Sequence, residues 1–341
     1  MRTPMRRVPG LLLVLAGLAT ASVLVGATPV SLAQVGHALQ LLMGGADAAG
    51  YSMADRIVVD LRLPRMLLAV LVGGGLAVVG ALLQTITRNE LSDPFLFGLS
   101  SGSAAGAVAV ITLSGEIAGA MGLWTLPLAA FAGGMASVAV VLVLLRRLRS
   151  HTPERMILAG LSVSFLFTAL TYYLVFLGDQ RAAQSVLYWT LGGLGAARWD
   201  SLPLPLAGLL LLGGFAWRKR PALDAMLGGE NTAHSLGIDP QRLRIEVFIA
   251  CAFATACFVA VSGVIGFIGL MVPHLARQLA GALHRGLLLL SLLIGAALLL
   301  ASDLLCRVVL APQELPVGIV TASVGALFVM NQLFNKHGDA A

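Results

Sequence analysis

"SGVIGFIGLMVP", residues 262–273, lies inside a stretch of 30 residues, 247–276, that contains no Lys, Arg, Asp or Glu. An apolar helix needs about 20 residues to cross a bilayer. Thirty residues are too many for one crossing and too few for two complete ones. Gly263, Gly266, Gly269 and Pro273 fit a tight turn leading into a short or broken helix. Such helices are tolerated where they are buried in protein or line a cavity. Two crossings here put both chain ends on one side, and a single crossing would put the C-terminal tail outside.

The rest of the chain reads the same way. Of its 341 residues 58% are hydrophobic and only 11% charged, against about 25% charged in a soluble domain. Charge-free apolar runs recur throughout. The expected helices are 9–29, 65–87, 95–113, 122–145, 156–177, 200–217, 243–262, 264–281, 287–307 and 316–335. The sequence therefore predicts an all-α polytopic membrane protein of about ten transmembrane helices, a single transmembrane domain over 1–341. Residues 30–64 form an external segment with a surface helix in "SLAQVGHALQLLMG". Residues 218–242 form the longest cytoplasmic loop. There Leu223, Met226 and Leu227 sit at helical spacing and Gly228–Gly229 turn into a second short helix.

Charge sets the orientation. In this arrangement sixteen of the 22 Lys and Arg residues fall on one side, in clusters such as "RTPMRR", "RRLR" and "WRKR". Arg56, Arg62, Arg65, Arg181, Arg198 and Arg307 fall on the other. Basic residues are retained on the inner face, so both termini are expected in the cytoplasm. The net charge of +6 is thus loop charge rather than the continuous basic face of a nucleic-acid binder. The N-terminus has the charged start and apolar core of a secretory signal. No charge occurs between Arg7 and Asp47, however, and a retained first helix is the reading that keeps the later loops in phase.

Absent chemistry narrows the class. The chain has no GxxxxGK[ST] loop to hold ATP, no HExxH and no GxSxG. Cys251, Cys257 and Cys306 form no CxxC pair and read as buried hydrophobes; His274 in "VPHLAR" reads as structural rather than metal-ligating. No metal or cofactor is expected on this chain. Ion-coupled carriers usually place ionisable groups inside their helices. Here Asp303, near the outer end of its helix, is the only acid well inside a span, beside a few amides such as Gln84. Energy for transport would have to come from another chain. A secondary carrier is the alternative from a different class.

Between two charge-free runs, "RNELSDPFLFG" (88–98) packs a cation, an amide, two acids and a proline into seven residues. After it, Gly98, Gly102 and Gly106 recur every four residues beside Ser100, Ser101 and Ser103. This small, mildly polar helix face suits close helix packing, or a smooth pathway wall.

These residues together resemble a family. "RLPRMLLAVLVGGGLAVVGALLQTITRNELSDPFLFGLSSGSAAG" is similar to the signature of ABC-importer permeases for iron chelates, haem and cobalamin. "ERMILAGLSVS", "LYWTLGGL", "LGGENTAHSLGI", "GFIGLMVPHLARQLAG" and "LASDLLCRVVLAPQELPVGIVTASVGALF" follow in the family's order. The resemblance implies a homodimer of ten-helix subunits in the bacterial inner membrane. It also implies two ABC ATPase subunits carrying ATP and Mg, and a periplasmic or lipid-anchored solute-binding protein. An iron–siderophore complex is the first cargo expected, with haem and cobalamin as alternatives. By the same resemblance Arg62, Arg65 and Arg307 pair with acidic residues of the binding protein. Asn89, Leu91 and Thr152 belong to a cytoplasmic gate, and Leu227, Gly228, Gly229 and Glu230 to the segment that couples to the ATPase. Glu90 departs from the family, which usually has proline there, and is expected to pair with Arg88 or with the basic 146–149 cluster.

Overall fold

The computed structural model describes residues 7–26, 28–44, 51–113, 122, 124–148 and 152–338. Arg2, Arg6, Asp47 and Arg149, used above in reading the charge pattern, lie outside the described residues. Those described form α1 (Val8–Leu24), α2 (Leu32–Gly44), α3 (Met53–Arg56), α4 (Leu63–Thr87), α5 (Leu99–Leu113), α6 (Thr125–Leu148) and α7 (Pro153–Leu177). They continue with α8 (Gln180–Thr190), α9 (Pro203–Leu227), α10 (Glu230–Ser235), α11 (Pro240–Ser262), α12 (Ile268–Ala280), α13 (His284–Val308) and α14 (Val317–Gly338). No strand occurs among them. Each predicted span coincides with a helix. Among the described residues six helices are long and apolar enough to cross a membrane: Met53–Thr87, Thr125–Leu148, Pro153–Leu177, Trp199–Leu227, Pro240–Ser262 and His284–Val308.

α4 is the axis of the bundle. Every residue from Val72 to Thr87 is buried, as expected of a helix that is apolar all round. Its glycines set the packing distance. Gly73 and Gly295 lie backbone to backbone, so that α13 rests directly on α4, and a side chain at either would collide with the other's carbonyl. α11 and α12 pack on other faces of α4, and α5 pairs with α6 and α7. In that pair a Cβ at Gly102 would meet Gly133 O at 2.6 Å, so the Gly98–Gly102–Gly106 face is a packing face. The neighbouring positions Ser100, Ser101 and Ala104 line a recess of about 460 Å³ against α7 and α8.

The 262–273 stretch is a broken helix. α11 ends at Ser262, and Gly263 follows with φ 66, where a Cβ would collide with Trp189 O. Residues 263–266 are non-helical, and Phe267 turns the chain at φ 67 into the 13-residue α12. Pro273 has no N–H to give the carbonyl of Gly269 four residues earlier. Gln84 of α4 supplies the missing donor, its Nε2 lying 3.2 Å from Gly269 O and 3.1 Å from Leu270 O. The Gln84 Oε1 accepts in turn from Arg277 at 2.6 Å. A buried amide on one helix thus satisfies the backbone broken on another.

Helix ends differ from the sequence expectation in both directions. The helix expected to stop at 217 runs on through "RKR" and Pro221 to Leu227, and the helix expected from 65 is continuous back to Met53 through a π-helical turn, Ile57–Arg62. Clusters of charge mark where the apolar layer ends, and a helix can continue beyond it with its cations solvated. Lys219 pairs there with Glu246. Three other expected spans are shorter than drawn: α1 ends at Leu24 rather than 29, α5 begins at Leu99 rather than 95, and α12 covers Ile268–Ala280.

Candidate functional site

Three groups of residues sit at the ends of the bundle. At the end where α4 begins, Arg65 and Arg307 flank Asp303, and Arg62 lies near Arg307. Arg65 donates from Nε to Asp303 Oδ1 at 2.9 Å, and its Nη1 lies 2.8 and 3.0 Å from the two carboxylate oxygens of Glu314. Arg307 lies one helical turn after Asp303 on α13, with Nη2 3.1 Å from its Oδ2. Arg307 also donates to Ser22 O at 2.9 Å and Ser22 Oγ at 2.7 Å. Arg62 donates to Val23 O at 2.6 Å, to Leu24 O at 2.9 Å and to Thr28 O. The last four carbonyls of a helix lack intrahelical partners, and these two buried arginines satisfy those of α1. The three arginines are therefore brought together, but unequally. Arg62 and Arg307 are 6% exposed and turned onto α1, while the Arg65 side chain reaches the surface beside a recess of about 450 Å³ walled by Trp189, Gly193, Gly195 and Pro316.

At the opposite end of α4 lies the 88–98 turn. Arg88 closes the helix in the left-handed region at φ 51, a conformation that costs roughly 1–2 kcal/mol for a residue with a side chain. Asn89 Oδ1 accepts from the Leu91 N–H at 2.9 Å, and Asn89 O from Ser92 N at 3.1 Å. Leu91 is 57% exposed. Asp93 is buried and caps Pro94–Phe97 by accepting from Phe95 N at 2.9 Å. Burial pushes its carboxyl up to about 6, with that hydrogen bond pulling the other way. Thr152 stands just before α7, and no hydrogen bond joins it to Asn89 or Leu91 among the described residues. α7 instead reaches the turn through Gly160, where a Cβ would meet Phe97 Cα at 2.6 Å.

Among the described residues Glu90 does not pair with Arg88, Arg146 or Arg147; Arg149, the other cation expected, lies outside them. Its carboxylate lies 3.7 Å from His274 Nδ1 on α12, because the left-handed Arg88 turns the chain back toward that half-helix. His274 Nε2 is shared with Gln278 at 3.1 Å and Gln332 at 2.9 Å. Glu90 is 59% exposed, so this pair contributes little, within about 1 kcal/mol. Glu90→Pro is accordingly expected to change the thermal unfolding midpoint of the detergent-solubilised protein by no more than a degree or two. A larger drop would assign Glu90 a structural role.

The third group faces the same end. α9 ends at Leu227, Gly228 continues the turn, and Gly229 (φ 104) reverses the chain into α10. Glu230, at the start of α10, pairs with Arg244 of α11. Arg244 is 1% exposed, and its Nε donates to Ile86 O at 3.1 Å, an end carbonyl of α4. A Cβ at Gly229 would lie 3.6 Å from Arg88 Nη2. The 227–230 turn is therefore joined through Arg244 to the end of α4, two residues before the 88–98 turn. Nothing local in "PQRLRIEVF" distinguishes Arg244 from Arg242. Only its apolar spacing with Val247 and Phe248, both fully buried, places it inward.

A bundle centred on a buried glycine-rich helix, with a broken half-helix and charged clusters only at its ends, is the arrangement of a multi-pass membrane permease. The profile of the FecCD transport family matches residues 12–334, and the chain belongs to that family. It is 41% identical to the Fe(3+)-citrate import system permease of Bacillus subtilis, over 80% of each chain. It is 37% identical to the cobalamin import system permease of Halobacterium salinarum, over 83% of this chain and 75% of that one. The fold matches a solved metal-chelate type ABC transporter in an inward-facing conformation, with a TM-score of 0.82 and 30% identity over 96% of this chain and 98% of that one.

Proposed function

We propose that the chain is the permease subunit of an ATP-driven ABC importer that moves an iron–siderophore complex across the bacterial inner membrane. The observation that carries this reading is the continuous family match over 12–334, joined to a bundle in which no acid well inside a span is free among the described residues. Asp303, the one acid well inside a span, is committed to Arg65 and Arg307. Ten crossings place both termini in the cytoplasm. The chain works as a homodimer with two ATPase subunits that bind ATP and Mg, and with an external solute-binding protein. The Arg65 end then faces outward and receives acidic side chains of the binding protein. Arg65 is the contact residue, and Arg62 and Arg307 supply charge from beneath and hold α1. At the cytoplasmic end Asn89, Leu91 and Thr152 belong to the gate, and Leu227–Glu230 meet the ATPase. The Bacillus relative at 41% identity imports Fe(3+)-citrate, which supports the siderophore cargo ahead of haem or cobalamin.

The test is uptake into proteoliposomes holding the assembled importer and its binding protein. Uptake of labelled ferric siderophore should require enclosed ATP and persist with a protonophore present. Uptake that stops with the protonophore while ATP is maintained would assign a secondary carrier. Uptake of cobalamin or haem but not of any ferric siderophore would reassign the cargo. A reporter fused after Lys336 should lie in the cytoplasm; an external reporter would overturn the ten-crossing arrangement.

A further inference from the structure

An arginine guanidinium can offer paired N–H donors to a carboxylate along more than one edge. At Arg65 these edges are already taken. Asp303 holds the Nε/Nη2 edge at 2.9 and 2.8 Å, and Glu314 holds Nη1 with both of its oxygens. The two acids are held very differently. Asp303 is 1% exposed, lies on α13 and is also paired with Arg307. Glu314 is 47% exposed and lies in the non-helical segment before α14. All the hydrogen bonds of its side chain go to Arg65. An ion pair this open to water is weak and easily exchanged. The approach is clear as well. Gly195 packs beside the pair, where a Cβ would be in van der Waals contact with Glu314 at 3.6 Å and Arg65 at 3.8 Å, and the open side is the recess that Arg65 and Glu314 both line. The recess of about 450 Å³ opens beside them.

We propose that Glu314 is a built-in stand-in for the partner's carboxylate. It holds Arg65 while the outer face is empty, and yields the guanidinium to an acidic side chain of the solute-binding protein on docking. This rests on the docking reading given above. The exchange trades one carboxylate for another on the same donors, so Arg65 is never left uncompensated. Asp303 stays in place and keeps the arginine aimed. The stand-in has a consequence of unusual sign. An acid at a surface that receives acids competes with the partner, so its removal should tighten docking.

The experiment uses the complete importer in lipid nanodiscs and the solute-binding protein encoded with it as the probe. Glu314→Gln keeps the side chain's size, and Asp303 still neutralises Arg65, so the fold should hold; the unfolding midpoint checks this. Affinity should rise about five-fold, chiefly through faster association, and the gain should shrink as salt is added. Arg65→Gln should weaken docking at least about ten-fold, and on that background Glu314→Gln should give no gain. If Glu314→Gln leaves affinity unchanged or lowers it while Arg65→Gln is damaging, the stand-in is overturned and the docking role of Arg65 survives. A gain that persists without Arg65 would show general repulsion instead, and would overturn it too. If Arg65→Gln has no effect, the docking reading falls and the stand-in with it. Should Glu314→Gln fail to fold, Glu314→Ala gives the same comparison.

Discussion

Gly80→Val should leave no folded protein in the membrane fraction, while Gly213→Val accumulates normally. Both glycines lie inside long apolar helices, and hydropathy does not tell them apart. A Cβ at Gly213 meets nothing within 4 Å, whereas at Gly80 it would fall on the backbone carbonyl of Gly269 in the first turn of α12. Overpacking a core costs typically about 1–3 kcal/mol when flexible side chains can give way. Here the obstacle is backbone, fixed on one side by α4 and on the other by the left-handed turn at Phe267. Any retreat of α12 would also pull Gly269 O away from Gln84, its substitute for the donor that Pro273 lacks, leaving a buried carbonyl unpaired at a further cost of about 1–3 kcal/mol. Fluorescence-detected size exclusion of the tagged protein reads the outcome directly. A monodisperse Gly80→Val peak with a normal unfolding midpoint would mean that α4 and α12 do not touch as described.

Arg244→Met should lower stability by about 2–4 kcal/mol, with a matching fall in unfolding midpoint, and should raise the ATP consumed per solute imported by the assembled transporter. Arg244 is almost fully buried and joins Glu230, opening α10, to Ile86 O, near the end of α4. Removing the guanidinium leaves that carbonyl without its charged donor. Glu230 is 43% exposed and can turn to water. Glu230→Gln should therefore cost less than about 1 kcal/mol, even if it too disturbs coupling. The pair of variants separates the two effects. A stable Glu230→Gln protein with impaired coupling places the 227–230 turn in the drive train. Normal coupling in both variants would count against that placement, and an unchanged midpoint for Arg244→Met would count against the buried link itself.

The fold was largely legible in the sequence because the physics that sets it is local. About 20 apolar residues, a break in charge and a bias of basic residues to one side can all be counted along the chain. The same counting explains the misplaced ends. Charge reports the edge of the apolar layer, so it missed the ten further residues of α9 and the run-in from Met53 to α4. Of the site, sequence resemblance picked out Arg62, Arg65 and Arg307, but it could not tell which of them faces outward. Glu90's partner was also out of reach. Arg88 was the nearest cation in sequence, yet its own left-handed backbone directs the next residue toward His274.

By itself the sequence determined a polytopic helical membrane protein, the order of its helices, the break at 262–273 and the absence of a P-loop motif. These follow from composition and spacing along one dimension. Only the tertiary structure decided what the polar residues left inside the apolar chain are for. Gln84 repairs the carbonyl freed by Pro273, Arg62 and Arg307 finish the end of α1, and Arg65 is shared between Asp303 and Glu314. Those partners lie up to 285 residues away. In an interior without water each buried donor must find its acceptor, and folding alone sets which one is near.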